Sequence, residues 1–235
     1  MGRGRVVKTE FESNEMQSWN RIRRLLRYSL PEKAEAVTEF YWLLKSRFYY
    51  RMYFGRIGSQ TKIIEPLRLK HTKNIFIGSG VTVSRHAFLL TLTLPGTEMP
   101  RMTIGDGCKL GHRNHITCVN EVTIGIKVLT ADGVHISDNS HVFVDPETPI
   151  LEQNVICRGK VSIGNGSWLG ENVSVLSATI GKNCVIGANA VVISDIPDYC
   201  VAVGIPARVV RRYNPETCTW QKVPKDAANQ STGAE

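Results

Sequence analysis

The sequence predicts an all-β chain, a parallel β-helix with an α-helical N-terminal extension, on three observations. Between Val161 and Val210 an aliphatic residue returns every six positions, usually followed by Gly: Ile163-Gly164, Leu169-Gly170, Val175-Leu176, Ile180-Gly181, Ile186-Gly187 and Val192-Ile193. A small residue sits four places after several of these (Ser167, Val173, Cys184, Ala190), and only the step from Val175 to Ile180 is five. Further Ile-Gly pairs stand at 77–78, 104–105 and 124–125. A period of six is neither helical nor a simple strand alternation, so it marks a repeat architecture. Three sixes close one triangular coil of short parallel strands. Stacked coils bury the aliphatic column, and the small residue lets the chain turn each corner.

The extension is read from the first third of the chain. Residues 1–12 are polar and Gly/Arg-rich and are expected to be loose. From Ser13 to Arg27, Met16, Trp19, Ile22, Leu25 and Leu26 fall on one side of a helix, with Arg21, Arg23, Arg24 and Arg27 on the rest. Pro31 suits the first turn of a second helix. Glu32 to Tyr53 then carries Ala34, Val37, Tyr41, Leu44 and Phe48 at helical spacing, and Gly55 and Gly58 end it. Residues 1–58 are therefore assigned to a basic helical extension, 59–213 to the β-helix and 214–235 to a polar tail, disordered in part. Within the β-helix, Pro95 to Met102 reads as a loop pushed out at a corner. Val142 to Lys160 has no six-residue rhythm; an excursion of this kind (142–160) on a rigid scaffold is where sites are often built.

Charge and cysteine usage narrow the function classes. The net charge of +8 lies wholly in residues 1–70, with 15 Lys/Arg against 7 Asp/Glu; residues 71–235 hold 14 of each. This asymmetry suits an anionic partner. Two readings follow for residues 13–54: packing within the assembly, or peripheral contact with the cytoplasmic face of a membrane. No recognised nucleic-acid module accompanies the basic patch, so no nucleic-acid partner is expected. No stretch reaches the ~18–20 apolar residues of a membrane span, and residues 1–15 lack an apolar signal core. A cytoplasmic protein, peripheral to the inner membrane on the second reading, is expected. The six cysteines form no Cys-x-x-Cys pair; Cys108 and Cys184 occupy small core positions, and all are expected reduced.

The candidate chemistry gathers around the excursion. His115, His135 and His141 each fall at the sixth position of a repeat. The spacing predicts His135 and His141 on consecutive faces and His115 one coil below His135. His141 immediately precedes the excursion, at the mouth of a cleft, where a neutral imidazole can act as general base. Asp138 is near enough in sequence to orient it or to bind substrate.

The segments VHISDNSH (134–141), VSIGNGSWLGENVSVL (161–176), IGKNCVIGANAVV (180–192) and IPDYCVAVGIPARVVRRY (196–213) resemble the hexapeptide-repeat O-acetyltransferases, above all those that modify bacterial polysaccharide and lipopolysaccharide. The resemblance covers about residues 60–214. It implies a left-handed β-helix, a homotrimer, and three acyl-CoA sites between neighbouring subunits, with acetyl-CoA as co-substrate and no metal. The family's catalytic histidine falls on His141, and its substrate-side asparagine, one coil earlier, on Asn114; Asp138, Asn139 and His135, close to His141 in the repeat, are the other expected substrate contacts. Its CoA contacts fall on Trp168, Gly170, Ala188, Ile193, Ser194, Arg208 and Arg211. Two departures stand out: a Lys often found at the Ser194 position is missing, with Arg212 available in its place, and the usual Pro-Gly corner is shortened to Ser177-Ala178. The implied activity is acetyl transfer to a sugar hydroxyl of surface polysaccharide or lipopolysaccharide, with a saccharide acceptor. Three alternatives stay open: N-acetylation of an amino sugar, a zinc site like that of gamma-class carbonic anhydrases built from His115, His135 and His141, and a non-catalytic trimeric scaffold. The spacing of six between His135 and His141 departs from the five of the zinc family.

Overall fold

The computed structural model describes residues 29–224. The chain divides into two units, Met1–Tyr41 and Trp42–Glu235. The described part of the first unit opens the helix Leu30–Lys45. The Glu32 carboxylate accepts from both the amide (2.7 Å) and the hydroxyl (2.8 Å) of Ser29, which satisfies an otherwise orphaned N-terminal donor. The helix expected over Ser13–Arg27 lies outside the described residues.

In the second unit the helix passes through a π turn, Ser46–Tyr50, and ends with Arg51–Tyr53. One stripe of it is buried: Ser46, Tyr50 and Phe54 at 0, 7 and 3% exposure, with Trp42 packed on the same core. The Ser46 hydroxyl accepts the amide of Ile63 at 2.9 Å, tying the π turn to the first coil. The β-helix begins at Arg56–Ile57, inside the residues assigned to the extension, because Ile57 pairs with Ile77 one coil up and joins the core.

The remainder is a left-handed parallel β-helix with three faces. The first carries Arg56–Ile57, Ile75–Ile77, Arg101–Ile104, Glu121–Ile124, Lys160–Ile163 and Thr179–Ile180, all parallel. The second runs from Lys62–Ile63 to Cys200–Val203, and the third from Arg68–Lys70 to Val191–Val192. Pairing residue for residue stacks Ile57, Ile77, Ile104, Ile124, Ile163 and Ile180 into one column, each at most 4% exposed. Burial of such side chains stabilises by about 1.5–3 kcal/mol each, and it is why the aliphatic repeat fixes the coil. The small corner residues Ser167, Val173, Cys184 and Ala190 are buried as the repeat requires.

Every insertion into the repeat leaves at one corner, between the third and first faces: from Lys70 to Ile75, from Thr91 to Arg101, from Cys118 to Glu121, and from Ser137 to Lys160. The coils therefore stay in register whatever their chain length. The last insertion is ordered. Asn139–His141 pairs antiparallel with Val155–Cys157, and the Gln153 side chain clips the loop by donating to the carbonyls of Asp145 (2.9 Å) and Thr148 (2.8 Å) while accepting from the amide of Val144 (3.1 Å). The polar tail also contains structure: Arg208–Asn214 returns antiparallel along Cys200–Val203, and Thr219–Lys222 pairs with it in turn.

Candidate active site

His141 does not occupy the face next to that of His135. After Ser137 the chain leaves the coil, so His141 stands on the hairpin arm, opposite Val155, and is exposed. The reason lies in the pairing: the next coil's first-face strand is supplied by Lys160–Ile163, which leaves residues 138–159 free to project. Among the described residues the His141 imidazole has no hydrogen-bond partner.

Asp138 does not orient it. Asp138 is fully buried, and its carboxylate accepts from the amides of Val119 (2.9 and 3.1 Å) and Asn120 (2.8 Å) and from the Asn139 side-chain amide (3.0 Å). A buried carboxylate needs this many donors to offset its desolvation. Asp138 is thus the staple that holds the corner from which the arm departs, and its expected contact with substrate is corrected. Burial and then the Asp138 carboxylate push the neighbouring Cys118 thiol far up, so that thiol is inert.

Asn114 is corrected likewise. It is fully buried: Thr130 Oγ1 donates to its Oδ1 at 2.7 Å, and its Nδ2 donates to the carbonyls of Ala131 (2.9 Å) and His112 (3.3 Å). It points into the coil and cannot meet an acceptor.

The side chains that do face outward beside the arm come from the third face. Phe88, His115 and His135 pair in register on successive coils. Their rings stack with centroids 4.2 Å apart (Phe88–His115) and 5.3 Å apart (His115–His135). Burial holds both imidazoles below the ordinary histidine value; for His135 the neighbouring His115 adds to the effect. Both are therefore neutral near pH 7. In the adjacent column Asn139 Nδ2 donates to Thr117 Oγ1 (3.2 Å), and Thr117 Oγ1 donates to Ser137 Oγ (3.1 Å). Phe88, Thr117 and Ser137 were not singled out in the sequence. Phe88 could have been, since it precedes Leu89 just as His115 precedes Ile116.

The positions matched to CoA contacts fall elsewhere. Trp168 projects from the second face, 47% exposed, in a ladder that continues through Val185 and Val201 to Arg211. Gly170 lies at the corner between second and third faces, where a Cβ would come within 2.7 Å of the Ala188 amide nitrogen; close coil packing alone requires glycine here. Ala188 is exposed at that corner. Ile193, 55% exposed, and Ser194 follow the last third-face strand, Val191–Val192. Arg208 is half-buried and bonds the carbonyl of Ala207 at 3.1 Å. Within one chain, then, the full width of the third face separates Trp168 and Arg211 from the His141 arm. Among the described residues no three His, Cys, Asp or Glu come together as a metal-binding group, and no helix is long and apolar enough to cross a membrane.

Triangular coils of six-residue repeats with one projecting corner loop define the hexapeptide-repeat β-helix fold. Residues 160–194 match the family described as "Bacterial transferase hexapeptide (six repeats)". The chain is similar to the Mycobacterium tuberculosis protein Rv3034c, provisionally named an acetyltransferase, with 35% identity over 202 residues, 77% of this chain and 65% of that one. It is also similar to Escherichia coli K12 WbbJ, provisionally named a lipopolysaccharide biosynthesis O-acetyl transferase, with 38% identity over 124 residues, 50% of this chain and 63% of that one. The chain spans just under two thirds of the length of these relatives. The fold is shared with the Bacillus cereus N-acyltransferase AntD, solved with dTDP and 3-hydroxybutyryl-CoA: 17% identity, TM-score 0.60, covering 73% of this chain and 90% of that one.

Proposed function

We propose that this chain is an acetyl-CoA-dependent O-acetyltransferase that modifies a sugar hydroxyl in bacterial surface polysaccharide or lipopolysaccharide. The observation that carries it is the His141 arm: an exposed imidazole, free of competing bonds, held beside a face of stacked rings and hydroxyls by a buried staple. The similarity to WbbJ supports the substrate class. Acetyl-CoA is the acyl donor. The second-face ladder from Trp168 to Arg211 suits it, with an apolar strip for the pantetheine arm and guanidinium groups for phosphate.

His141 takes the proton of the acceptor hydroxyl as its oxygen attacks the thioester carbonyl. The carbon–sulfur bond then breaks, and the imidazolium returns the proton to the departing thiolate. General-base help of this kind contributes typically ~10²–10⁴-fold. Because His141 and the Trp168–Arg211 ladder lie apart in one chain, the site is completed between copies, the arm of one subunit closing over the second face of its neighbour in a homotrimer.

The test is free-thiol release from acetyl-CoA against nucleotide sugars, amino sugars and polysaccharide fragments, with His141→Ala alongside. Acceptor-dependent release that falls at least ~100-fold in the variant, with the assembly intact, is expected. Near-full turnover by His141→Ala would remove His141 from its role, and transfer only to amino groups would move the assignment to N-acetylation.

A further inference from the structure

We infer that the helix end and first coils of the second unit form a docking surface for an anionic membrane, with a phosphate headgroup seated between Arg51 and Arg56. The inference does not depend on the acetyl-transfer reading. Its first support is a helix with two opposite stripes. Ser46, Tyr50 and Phe54 are buried against the coil, while Phe48 and Met52 point outward at 64 and 62% exposure, with Tyr49 and Tyr53 beside them at 49% each. Exposed apolar side chains grouped on one stripe, rather than scattered singly, mark an interaction surface, and aromatic rings of this kind favour the lipid–water boundary.

Charge selects the occupant. Residues 40–64 contain no Asp or Glu but carry Lys45, Arg47, Arg51, Arg56 and Lys62. Arg47, Arg51 and Arg56 have no ion pair among the described residues. Apolar side chains flanked by Arg47, Arg51 and Arg56 fit an anionic lipid surface better than an apolar protein face.

The third support is a recess of the right chemistry next to the stripe. A groove of about 390 Å³ is lined by Arg51, Arg56, Ser59 and Ser79. It adjoins a second of about 310 Å³ that shares Arg56 and adds Arg101, whose guanidinium lies 3.9 Å over the Phe76 ring. The one carboxylate there, Asp106, accepts the amide of Ser79 at 2.7 Å. Two guanidinium groups and two hydroxyls around one recess match the oxygens of a phosphate ester.

The test is co-flotation of the full chain with phosphatidylcholine vesicles and with vesicles containing one quarter phosphatidylglycerol. Binding to the anionic vesicles only, weakened by salt, is expected. Each basic residue near such a surface is worth roughly fivefold in binding, so Arg51→Glu/Arg56→Glu is expected to lose more than tenfold. Phe48→Ser/Met52→Ser is expected to lose binding while keeping its melting temperature. Inorganic phosphate or glycerol 3-phosphate bound in the groove without vesicle binding would reassign it as a small-anion site. A change in oligomeric state in the Phe48/Met52 variant, with no vesicle binding by the parent, would make the stripe a subunit contact. Either result overturns the inference.

Discussion

Asn114 and Thr130 meet inside the coil, Thr130 Oγ1 donating to Asn114 Oδ1 at 2.7 Å across one turn of the β-helix. Each interrupts a column that is otherwise aliphatic or small, and each makes the other tolerable. Asn114→Ala is expected to cost about 1–3 kcal/mol, because it strands a buried hydroxyl and the carbonyl of Ala131. The paired change Asn114→Val/Thr130→Val removes donor and acceptor together and should cost less than the single change. Urea midpoints of the three proteins decide this. A single variant of unchanged stability but altered acceptor KM would return Asn114 to the substrate.

Asp138 makes a comparable prediction at the arm. Asp138→Ala leaves two amides, that of buried Val119 and that of half-buried Asn120, without acceptors, and hydrogen bonds to charged groups are worth about 1.5–3 kcal/mol each. Loss of several kcal/mol is expected, with Asp138→Asn intermediate because one acceptor oxygen remains. Proteolysis should strike first between 138 and 159 if the staple positions the arm. Equal stability of Ala and Asn variants would contradict the assignment.

The stacked histidines set a pH window. His115 and His135 have pKa values lowered in the fold by burial, so below the ordinary histidine value of about 6.5 the unfolded chain binds more protons than the native one. Stability should therefore fall as pH drops from about 6.5 toward the lowered native values, and should show no slope from this pair above that window. Their ladder neighbours Phe88 and Ser174 do not titrate. His135→Gln should melt with a shallower pH dependence between pH 7 and 5 than the parent; identical slopes would exclude the pair as its source.

If the site forms between copies, two inactive proteins should rescue each other. His141→Ala and Trp168→Ala/Arg211→Glu, unfolded and reassembled together at equal ratio, should regain roughly a quarter of wild-type turnover, the share of interfaces that inherit both intact halves in a cyclic assembly. Co-assembly without recovery would place both halves of the site within one chain.

The architecture was legible because it repeats. Each aliphatic residue at a six-residue interval meets the same environment one coil on, so the pattern in Ile163, Leu169 and Val175 states the core directly, and the structure places all three at most 1% exposed. The helix ending near Gly55 and the loop at Pro95 were equally visible as breaks in a period, whereas the excursion read from residue 142 leaves the coil earlier, after Ser137. The reach of His141 was not. Counting sixes puts it on a face; antiparallel pairing with Val155, fourteen residues away, lifts it onto an arm. Asn114 reads as a site residue by resemblance and Asp138 by nearness to His141, yet Thr130 and the amides of Val119 and Asn120 claim them. Sequence by itself determined which residues repeat and therefore stack, since burial of one column is a local rule applied many times. Only the tertiary structure decided which polar groups turn inward. That choice depends on the partner waiting one coil away, and every insertion at the third corner changes which residue that partner is.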